Sequence, residues 1–245
     1  MSDSKLWLQE KDDREAFYAS VKKYYDTSSP TVDTTLGGLT HLAKPDVMFS
    51  CSLIKELIDS DAISKTHLKR ALDVGAGEGR VSENVLSLYF DEIDLVEPNE
   101  SLVKASVTKS PHVRIKKRII SSIEKYIPTV KYGVVWAQWV FSHILDRELS
   151  VILKNIHGYL EPNGLLVIKD NFIEDSYSAG KGIVPDDDAY PVLCDDIGLV
   201  IRTMSDMVLL LQEFGFKVHI FRRDEGVMAA EKGIFPVYAI VAKRI

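Results

Sequence analysis

The amino-acid sequence predicts an α/β fold, in which helices flank a mostly parallel sheet with one reversed strand. Short apolar segments alternate with segments of helical periodicity, and such alternation is typical of parallel strands joined by right-handed crossovers. A glycine-rich turn follows the first apolar segment. The last two strand segments, 216–221 and 237–242, have no helical pattern between them, so we expect them to pair as a hairpin and reverse one strand.

The composition is typical of a soluble globular protein. The chain has 245 residues, 46% of them hydrophobic and 27% charged, which fits one α/β domain with an extension. A net charge of −6 argues against a nucleic-acid partner, and no apolar run is long enough to predict a membrane span. The start is polar, unlike a signal peptide, and two cysteines give no disulfide framework. We therefore expect a cytoplasmic protein, with the nucleus as the alternative compartment.

Two helices are expected before the first strand. Apolar and aromatic residues recur at helical spacing over residues 10–25, and a second helical pattern begins at Pro45. Because both helices precede the sheet, we assign residues 1–66 to an N-terminal helical extension that covers the ligand cleft. Residues 67–245 form the sheet domain.

The glycine-rich turn, residues 71–80, is the most informative stretch for function. Gly75 can adopt positive φ, while Gly77 and Gly79 lack side chains that would hold off a ligand or a neighbouring strand. The helix that follows has unpaired N–H groups at its N-terminus, and these groups can bind ligand oxygens. Glu97 ends the next strand about 20 residues on, where a ribose diol is bound in such folds. The spacing is G-x-G-x-G, not the dinucleotide pattern. It resembles the first motif of S-adenosylmethionine-dependent methyltransferases and favours them over dehydrogenases.

The remaining elements alternate as a doubly wound sheet requires. Before the final pair, strands are predicted at 71–74, 93–97, 112–118, 132–137 and 165–169. Helices are predicted at 101–107, 146–160 and 205–214.

Polar side chains end several of these strands. They are Glu97, Gln138 and the run Lys169-Asp170-Asn171. Ligands of doubly wound sheets bind beyond the carboxyl ends of the strands, so these residues predict a pocket at that edge. Trp139 and His143 follow the fourth strand at the same edge. An imidazole there has a reference pKa near 6.5, which suits a general base.

Several motifs in this order resemble the protein N-terminal Xaa-Pro-Lys N-methyltransferases, which modify the α-amine of protein chains. The motifs are Thr31-Val32-Asp33 with Leu36-Gly37-Gly38, the glycine turn ending in Arg80, Trp136-x-Gln138-Trp139-x-x-x-His143, and Pro162-Asn163-Gly164 before Lys169-Asp170-Asn171. The resemblance implies a Rossmann-like class I methyltransferase with a seven-stranded, mostly parallel sheet and one reversed strand. It also implies S-adenosyl-L-methionine as cofactor and protein N-terminal peptides as substrates. We further expect a monomer without membrane partners.

The resemblance implies a role for each matching residue. For the methionine part of the cofactor, the implied residues are Gly75, Gly77 and Arg80. Glu97 would bind the ribose, and Gln138 would bind the polar edge of the cofactor. The adenine would lie against Ile123 and Glu124. Tyr25 stands where the family usually has tryptophan and would form an aromatic wall. The residues implied to bind the peptide are Leu36, Gly37, Trp139, Asn171, Asp195 and Phe235. The implied catalytic residues are His143 as general base and Asp196, and no metal is expected.

One region departs from the family pattern, which has a Ser-Ser pair before an arginine. Arg202 matches, but Gly198 and Leu199 replace the serines. The preceding acidic run, 186–188, is either a solvated loop or an anionic mouth for a substrate lysine. This departure leaves open a methyltransferase that acts on a small molecule or a different peptide. A non-catalytic binding scaffold is the alternative from another class.

Overall fold

The computed structural model of the chain describes residues 14–27, 30–107, 114–177, 180, 191–194 and 198–245. Its helices there are α1 (Arg14–Thr27), α2 (Val32–Thr35), α3 (Ala43–Asp59), α4 (Arg80–Asn84), α5 (Glu100–Val107), α6 (Asp146–Tyr159), α7 (Met204–Glu213) and α8 (Glu225–Ala230). Its strands there are β1 (Arg70–Val74), β2 (Glu92–Glu97), β3 (Ile115–Ile120), β4 (Tyr132–Gln138), β5 (Leu160–Ile173), β6 (Val192–Cys194), β7 (Leu199–Thr203), β8 (Phe216–Arg223) and β9 (Val237–Arg244). Within these ranges, none of the helices combines the length and the apolarity that crossing a bilayer needs.

The central sheet has the strand order β3-β2-β1-β4-β5-β9-β8. The pairs from β3 to β5 are parallel, whereas β9 runs antiparallel to both β5 and β8. The predicted seven-stranded, mostly parallel sheet with one reversed strand is therefore confirmed. The reversed strand is β9, which pairs directly with β8 although α8 lies between them in the chain.

Apolar side chains cover both faces of this sheet. Successive side chains of a strand point to opposite faces, so Leu72 and Val135 pack into one core with α6 and α7. Ala71 and Trp136 pack into a second core with α3. Every residue of β4 is buried, as expected for a central parallel strand covered on both faces. These two cores fix the strand ends that carry the polar residues.

The structure adds four elements that the sequence patterns do not predict. They are α2, β6, β7 and α8, with four, three, five and six residues, too few for a hydrophobic period to show. The strand β7 pairs antiparallel with β6 and parallel with the last two residues of β5. This pairing is possible because β5 continues to Ile173, beyond the predicted end at residue 169.

Helix α1 packs against β7 and the backbone just before it. Its Phe17 forms a small core with Leu145 and Val200. A Cβ atom on Gly198 would overlap the side chain of Val21 in α1, so the helix lies directly on the backbone before β7. The N-terminal helix is thereby brought next to the loop that follows β4.

Candidate functional site

A cleft of about 400 Å³ lies at the carboxyl ends of β1, β2 and β4, and α1 contributes to its wall. The predicted site residues that line it are Tyr25, Gly75, Gly77, Arg80, Glu97, Ile123, Glu124, Gln138, Trp139 and His143. The fold therefore gathers every residue expected to bind the cofactor, together with Trp139 and the expected base, around one cleft. Their individual roles remain predictions.

The glycine turn shapes one wall of the cleft. Gly75 and Gly77 have φ values of +61° and +56°, in the left-handed region that favours glycine. The N–H of Gly75 donates to the carbonyl oxygen of Val96 at 2.8 Å, and the N–H of Gly77 donates to Oε2 of Glu97 at 3.0 Å. The turn thus uses these N–H groups to bind β2, and it contributes a close-fitting backbone surface to the cleft.

Glu97 is held in place at the end of β2. Besides the bond from Gly77, its Oε1 accepts the N–H of Asn99 at 2.8 Å. Burial raises the pKa of Glu97, and the two backbone donors oppose that shift. Each carboxylate oxygen can accept more than one hydrogen bond, so a fixed Glu97 can still bind a diol.

These residues fit a nucleoside-type cofactor. Glu97 offers oriented acceptors, and the buried side chain of Ile123 provides an apolar wall. A Cβ on Gly77 would come within 2.9 Å of Cγ2 of Thr35, so the bare glycine keeps the gap between the turn and α2 open. The cleft therefore combines an open gap beside the glycine turn, an apolar wall and acceptors for a diol.

A buried ionic network links the N-terminal extension to the cleft. Asp46 of α3 is fully buried and accepts hydrogen bonds from Lys169, from Arg80, and from Nε2 of Gln138 at 2.7 Å. Lys169 also pairs with Asp224 at 2.7 Å. Burial alone would raise the pKa of Asp46, but Lys169 and Arg80 outweigh it and hold that pKa below its usual value. Asp46 therefore orients two residues of the cleft wall.

Asp46 is not among the site residues predicted from the sequence. It lies in the first turn of α3, where an acidic residue already has a local explanation in the helix dipole. Its partners come from α4, β4 and β5, so no spacing in the sequence marks it.

Asp170 stands out in the sequence only as part of a polar strand end. It accepts the N–H of Ser142 at 3.1 Å, and burial raises the pKa of Asp170.

His143 is fixed through both ring nitrogens. Nδ1 lies 2.9 Å from the carbonyl oxygen of Gly198, and Nε2 lies 3.2 Å from the hydroxyl of Tyr25. A carbonyl only accepts, so these partners assign the proton to Nδ1 and leave Nε2 with the lone pair. Burial lowers the pKa of His143, although Gly198 and Asp170 act in the opposite direction. The imidazole is therefore neutral near pH 7, and Nε2 is its basic atom.

Trp139 has the left-handed backbone conformation, with φ of +53°, which is rare for a bulky residue. Its N–H donates to the carbonyl oxygen of Lys169 at 2.9 Å, and the Arg80 guanidinium carbon lies 5.7 Å from its ring centroid. The ring also packs on a small apolar cluster that includes Leu42 and Val237. Trp139 therefore connects the cleft with this cluster.

Four other residues expected to bind a peptide do not line this cleft, namely Leu36, Gly37, Asn171 and Phe235. Leu36 is buried at the end of α2, and Gly37 follows it with φ of +58°. The side-chain amide of Asn171 donates to the carbonyl oxygen of Phe235 at 2.6 Å. Two further predicted residues lie outside the described residues, namely Asp195 and Asp196.

Comparison with known proteins agrees with this geometry. The family described as "AdoMet dependent proline di-methyltransferase" matches residues 13–221. The human protein named N-terminal Xaa-Pro-Lys N-methyltransferase 1 is 33% identical over 203 residues, which are 82% of this chain and 87% of that protein.

Two solved structures show the same fold. A SAM-dependent methyltransferase from Leishmania major superimposes with a TM-score of 0.79 and 23% identity, covering 97% of this chain and 89% of that one. A Burkholderia thailandensis 1,6-didemethyltoxoflavin-N1-methyltransferase with bound S-adenosylhomocysteine has a TM-score of 0.66 and 15% identity, covering 93% and 88% of the two chains. The family match, the relatives and the cleft together show that this chain is an S-adenosylmethionine-dependent methyltransferase and belongs to the AdoMet-dependent proline di-methyltransferase family.

Proposed function

We propose that the chain transfers methyl groups from S-adenosyl-L-methionine to the α-amine of protein N-termini of the Xaa-Pro-Lys type, with His143 as general base. The observation that carries the proposal is the imidazole of His143, which its hydrogen bond to Gly198 fixes on the wall of a cleft that fits the cofactor. The name of the human relative designates the same substrate type. This specificity goes beyond the family membership, and the experiment below tests it directly.

The cofactor would be held by the turn and by the ends of β2 and β4. Glu97 would accept the ribose diol, and Arg80 has N–H groups beyond the one that Asp46 uses. The other residues proposed to contact it are Tyr25, Gly75, Gly77, Ile123, Glu124 and Gln138. When bound, S-adenosylmethionine supplies an electrophilic methyl group.

Replacing Gly77 with valine should lower the affinity for S-adenosylmethionine by at least about 100-fold, or about 3 kcal/mol. A valine held at positive φ is strained by about 1–3 kcal/mol. The shift needed to relieve the contact with Thr35 would also move the N–H that Glu97 accepts. Isothermal titration calorimetry with S-adenosylmethionine measures the change.

The matched control is Gly180→Val. Gly180 also has positive φ, at +73°, but a Cβ there meets no atom of the described residues within 4 Å. This variant carries the same backbone penalty away from the cleft, so it should bind the cofactor like the wild type. A folded Gly77→Val protein with unchanged affinity would show that the turn does not contact the cofactor.

The residues of the chain would contribute to catalysis in two ways. They would position the substrate amine, and they would accept its proton. A chain α-amine has a pKa of about 7.7–8.0, so roughly a tenth to a fifth is neutral at pH 7. Only the neutral amine is a nucleophile, and nearby carboxylates raise its pKa. Nε2 of His143 is the basic atom that can accept the proton. The aromatic rings of Trp139 and Tyr25 would favour cationic methylated groups by about 0.5–2 kcal/mol each.

We further propose that residues 1–66 cover the cleft. Tyr18, Val21 and Tyr25 of α1 and Thr35 of α2 line it, which supports this role. The peptide would enter along a channel formed by Leu36, Gly37, Trp139, Asn171, Asp195 and Phe235, with Asp196 as a second catalytic residue. The enzyme would act as a monomer in the cytoplasm.

Mass spectrometry of two peptides tests the function. A peptide that begins Ser-Pro-Lys, incubated with enzyme and S-adenosylmethionine, should gain methyl groups on its N-terminus. Its N-acetylated twin should gain none, because its amine is blocked. Cofactor binding without peptide methylation would favour a small-molecule substrate, whereas an absence of cofactor binding would favour a non-catalytic scaffold.

A further inference from the structure

The hydroxyl of Tyr25 is hydrogen-bonded to Nε2 of His143, the nitrogen that would receive the proton of the substrate amine. The distance from the hydroxyl to Nε2 is 3.2 Å, and the two rings meet edge to face with centroids 5.6 Å apart. Both residues line the cleft. This contact joins the N-terminal extension to the proposed base, across 118 positions of sequence.

The direction of this hydrogen bond follows from its surroundings. Burial raises the pKa of the Tyr25 hydroxyl, and the nearby carboxylate of Glu97 raises it further, so the phenol keeps its proton. Nδ1 of His143 donates to Gly198 and leaves Nε2 as the acceptor. The hydroxyl of Tyr25 therefore donates to Nε2, a bond that only the neutral imidazole can accept.

Gly198 sets the position of both partners. Its carbonyl oxygen accepts the Nδ1 proton of His143. Its φ is +61°, and a Cβ there would overlap Val21 and lie 2.9 Å from the carbonyl oxygen of Phe17. Without a side chain at Gly198, α1 lies close enough to place Tyr25 on the opposite side of the imidazole.

We propose that Tyr25 is a positioning residue that acts through His143. Its hydroxyl holds the imidazole in one orientation and keeps Nε2 free of a proton until the substrate amine replaces the hydroxyl as the partner of that nitrogen. In the transfer, the proton of the amine moves to Nε2, while Tyr25 keeps its own. The role in turnover rests on the proposed function, whereas the effect on the imidazole does not.

Other charged groups near His143 set the background for its titration. Asp170 of β5 lies close enough to raise the pKa of the imidazole. Arg202 of β7 donates to the carbonyl oxygens of Phe141 and Ile144, which flank His143, and it pairs with Asp146 of α6. None of these groups changes when only the hydroxyl of Tyr25 is removed.

Tyr25→Phe, with its histidines labelled with ¹⁵N, tests the proposal by NMR titration. A donor to Nε2 stabilises the neutral ring, so its loss should raise the pKa of His143 by about half to one unit, the shift expected for one neutral hydrogen bond. The His143→Asn protein identifies the signals of His143. Tyr25→Leu, which also lacks the hydroxyl, serves if the phenylalanine variant does not fold.

Tyr24→Phe is the matched control. It removes a hydroxyl from the neighbouring residue of α1, and that hydroxyl donates to the carbonyl oxygen of Thr34 at 3.4 Å. The pKa of His143 should stay at its wild-type value in this variant. An unchanged pKa of His143 in Tyr25→Phe would overturn the proposal whether or not the protein methylates peptides.

Single-turnover methylation supplies the second readout. The base works only when it is neutral. The acid limb of the pH–rate profile should therefore move to higher pH in Tyr25→Phe, by about the same half to one unit as the pKa of His143. In a His143→Asn background, Tyr25→Phe should change the rate no further. Equal losses from Tyr25→Phe in both backgrounds would contradict action through His143.

Discussion

His143→Asn should lower the maximal methylation rate by about 10²–10⁴-fold, the usual size of general base catalysis. Asparagine removes the basic Nε2 but keeps an N–H that can donate to the carbonyl oxygen of Gly198 in place of Nδ1. The loop after β4 should therefore keep its structure. The affinity for S-adenosylmethionine should change little, because the partners of the two ring nitrogens are Gly198 and Tyr25 and not the glycine turn or Glu97. Single-turnover rates on a Ser-Pro-Lys peptide measure the loss.

The pH dependence of this defect distinguishes proton transfer from a structural effect. Burial lowers the pKa of His143, so the wild-type base is already neutral at pH 7. In the variant, only amines that have already lost their proton to the solvent react, and their fraction rises as the pH passes about 7.7–8.0. The defect should therefore shrink between pH 6.5 and about pH 9.5, well above the amine pKa.

The control for this experiment is His219→Asn. His219 is exposed on β8 and does not line the cleft, so this variant should keep the wild-type rate. Parallel pH profiles for His143→Asn and the wild type would remove His143 from proton transfer. A rate within about threefold of wild type would do the same, since it falls far below the usual effect of a base.

Asp46→Ala should destabilise the fold by about 3–5 kcal/mol, the usual cost of removing one partner from a buried ion pair. Lys169 and Asp46 are both fully buried, and Lys169 would keep Asp224 as its one ionic partner among the described residues. Arg80 and Gln138 would lose the carboxylate that orients them. We therefore expect weaker cofactor binding as well, measured by calorimetry beside urea unfolding.

Asp59→Ala on the same helix is the matched control. Asp59 pairs with Lys55 at 2.6 Å on an exposed face, and such a pair contributes only about 0.3–0.5 kcal/mol. Its loss should leave cofactor affinity unchanged. If Asp46→Ala were no less stable than Asp59→Ala, the buried network would not support the fold.

The stabilisation by Asp46 should depend on pH. Its pKa lies below the usual value in the folded protein, so the unfolded chain binds a proton at this group more readily. The contribution is therefore complete above about pH 4, the ordinary pKa of aspartate, and is lost as the pH falls through the folded-state pKa. The difference in stability between the wild type and Asp46→Asn should accordingly shrink on acidification below about pH 4.

The sequence alone determined the sheet and most of the cleft, because both rest on local patterns. Apolar segments of strand length, a glycine turn after the first of them and polar residues at strand ends are visible in short windows. Since the carboxyl ends of parallel strands meet at one edge, the positions of Glu97, Gln138 and His143 in the sequence suffice to place them around one cleft.

Only the tertiary structure decided how those residues are held. Asp46 reaches Gln138 across 92 positions of sequence, and Tyr25 reaches His143 across 118. Hydrophobic periodicity reports which face of an element is buried, but not which polar partners face each other once the elements have packed. The backbone hydrogen bonds of the glycine turn and the close approach of α1 at Gly198 depend on that packing in the same way. The ionic support of the cleft and the orientation of the proposed base are therefore properties of the fold, because their partners meet only after the sheet and the N-terminal helices have come together.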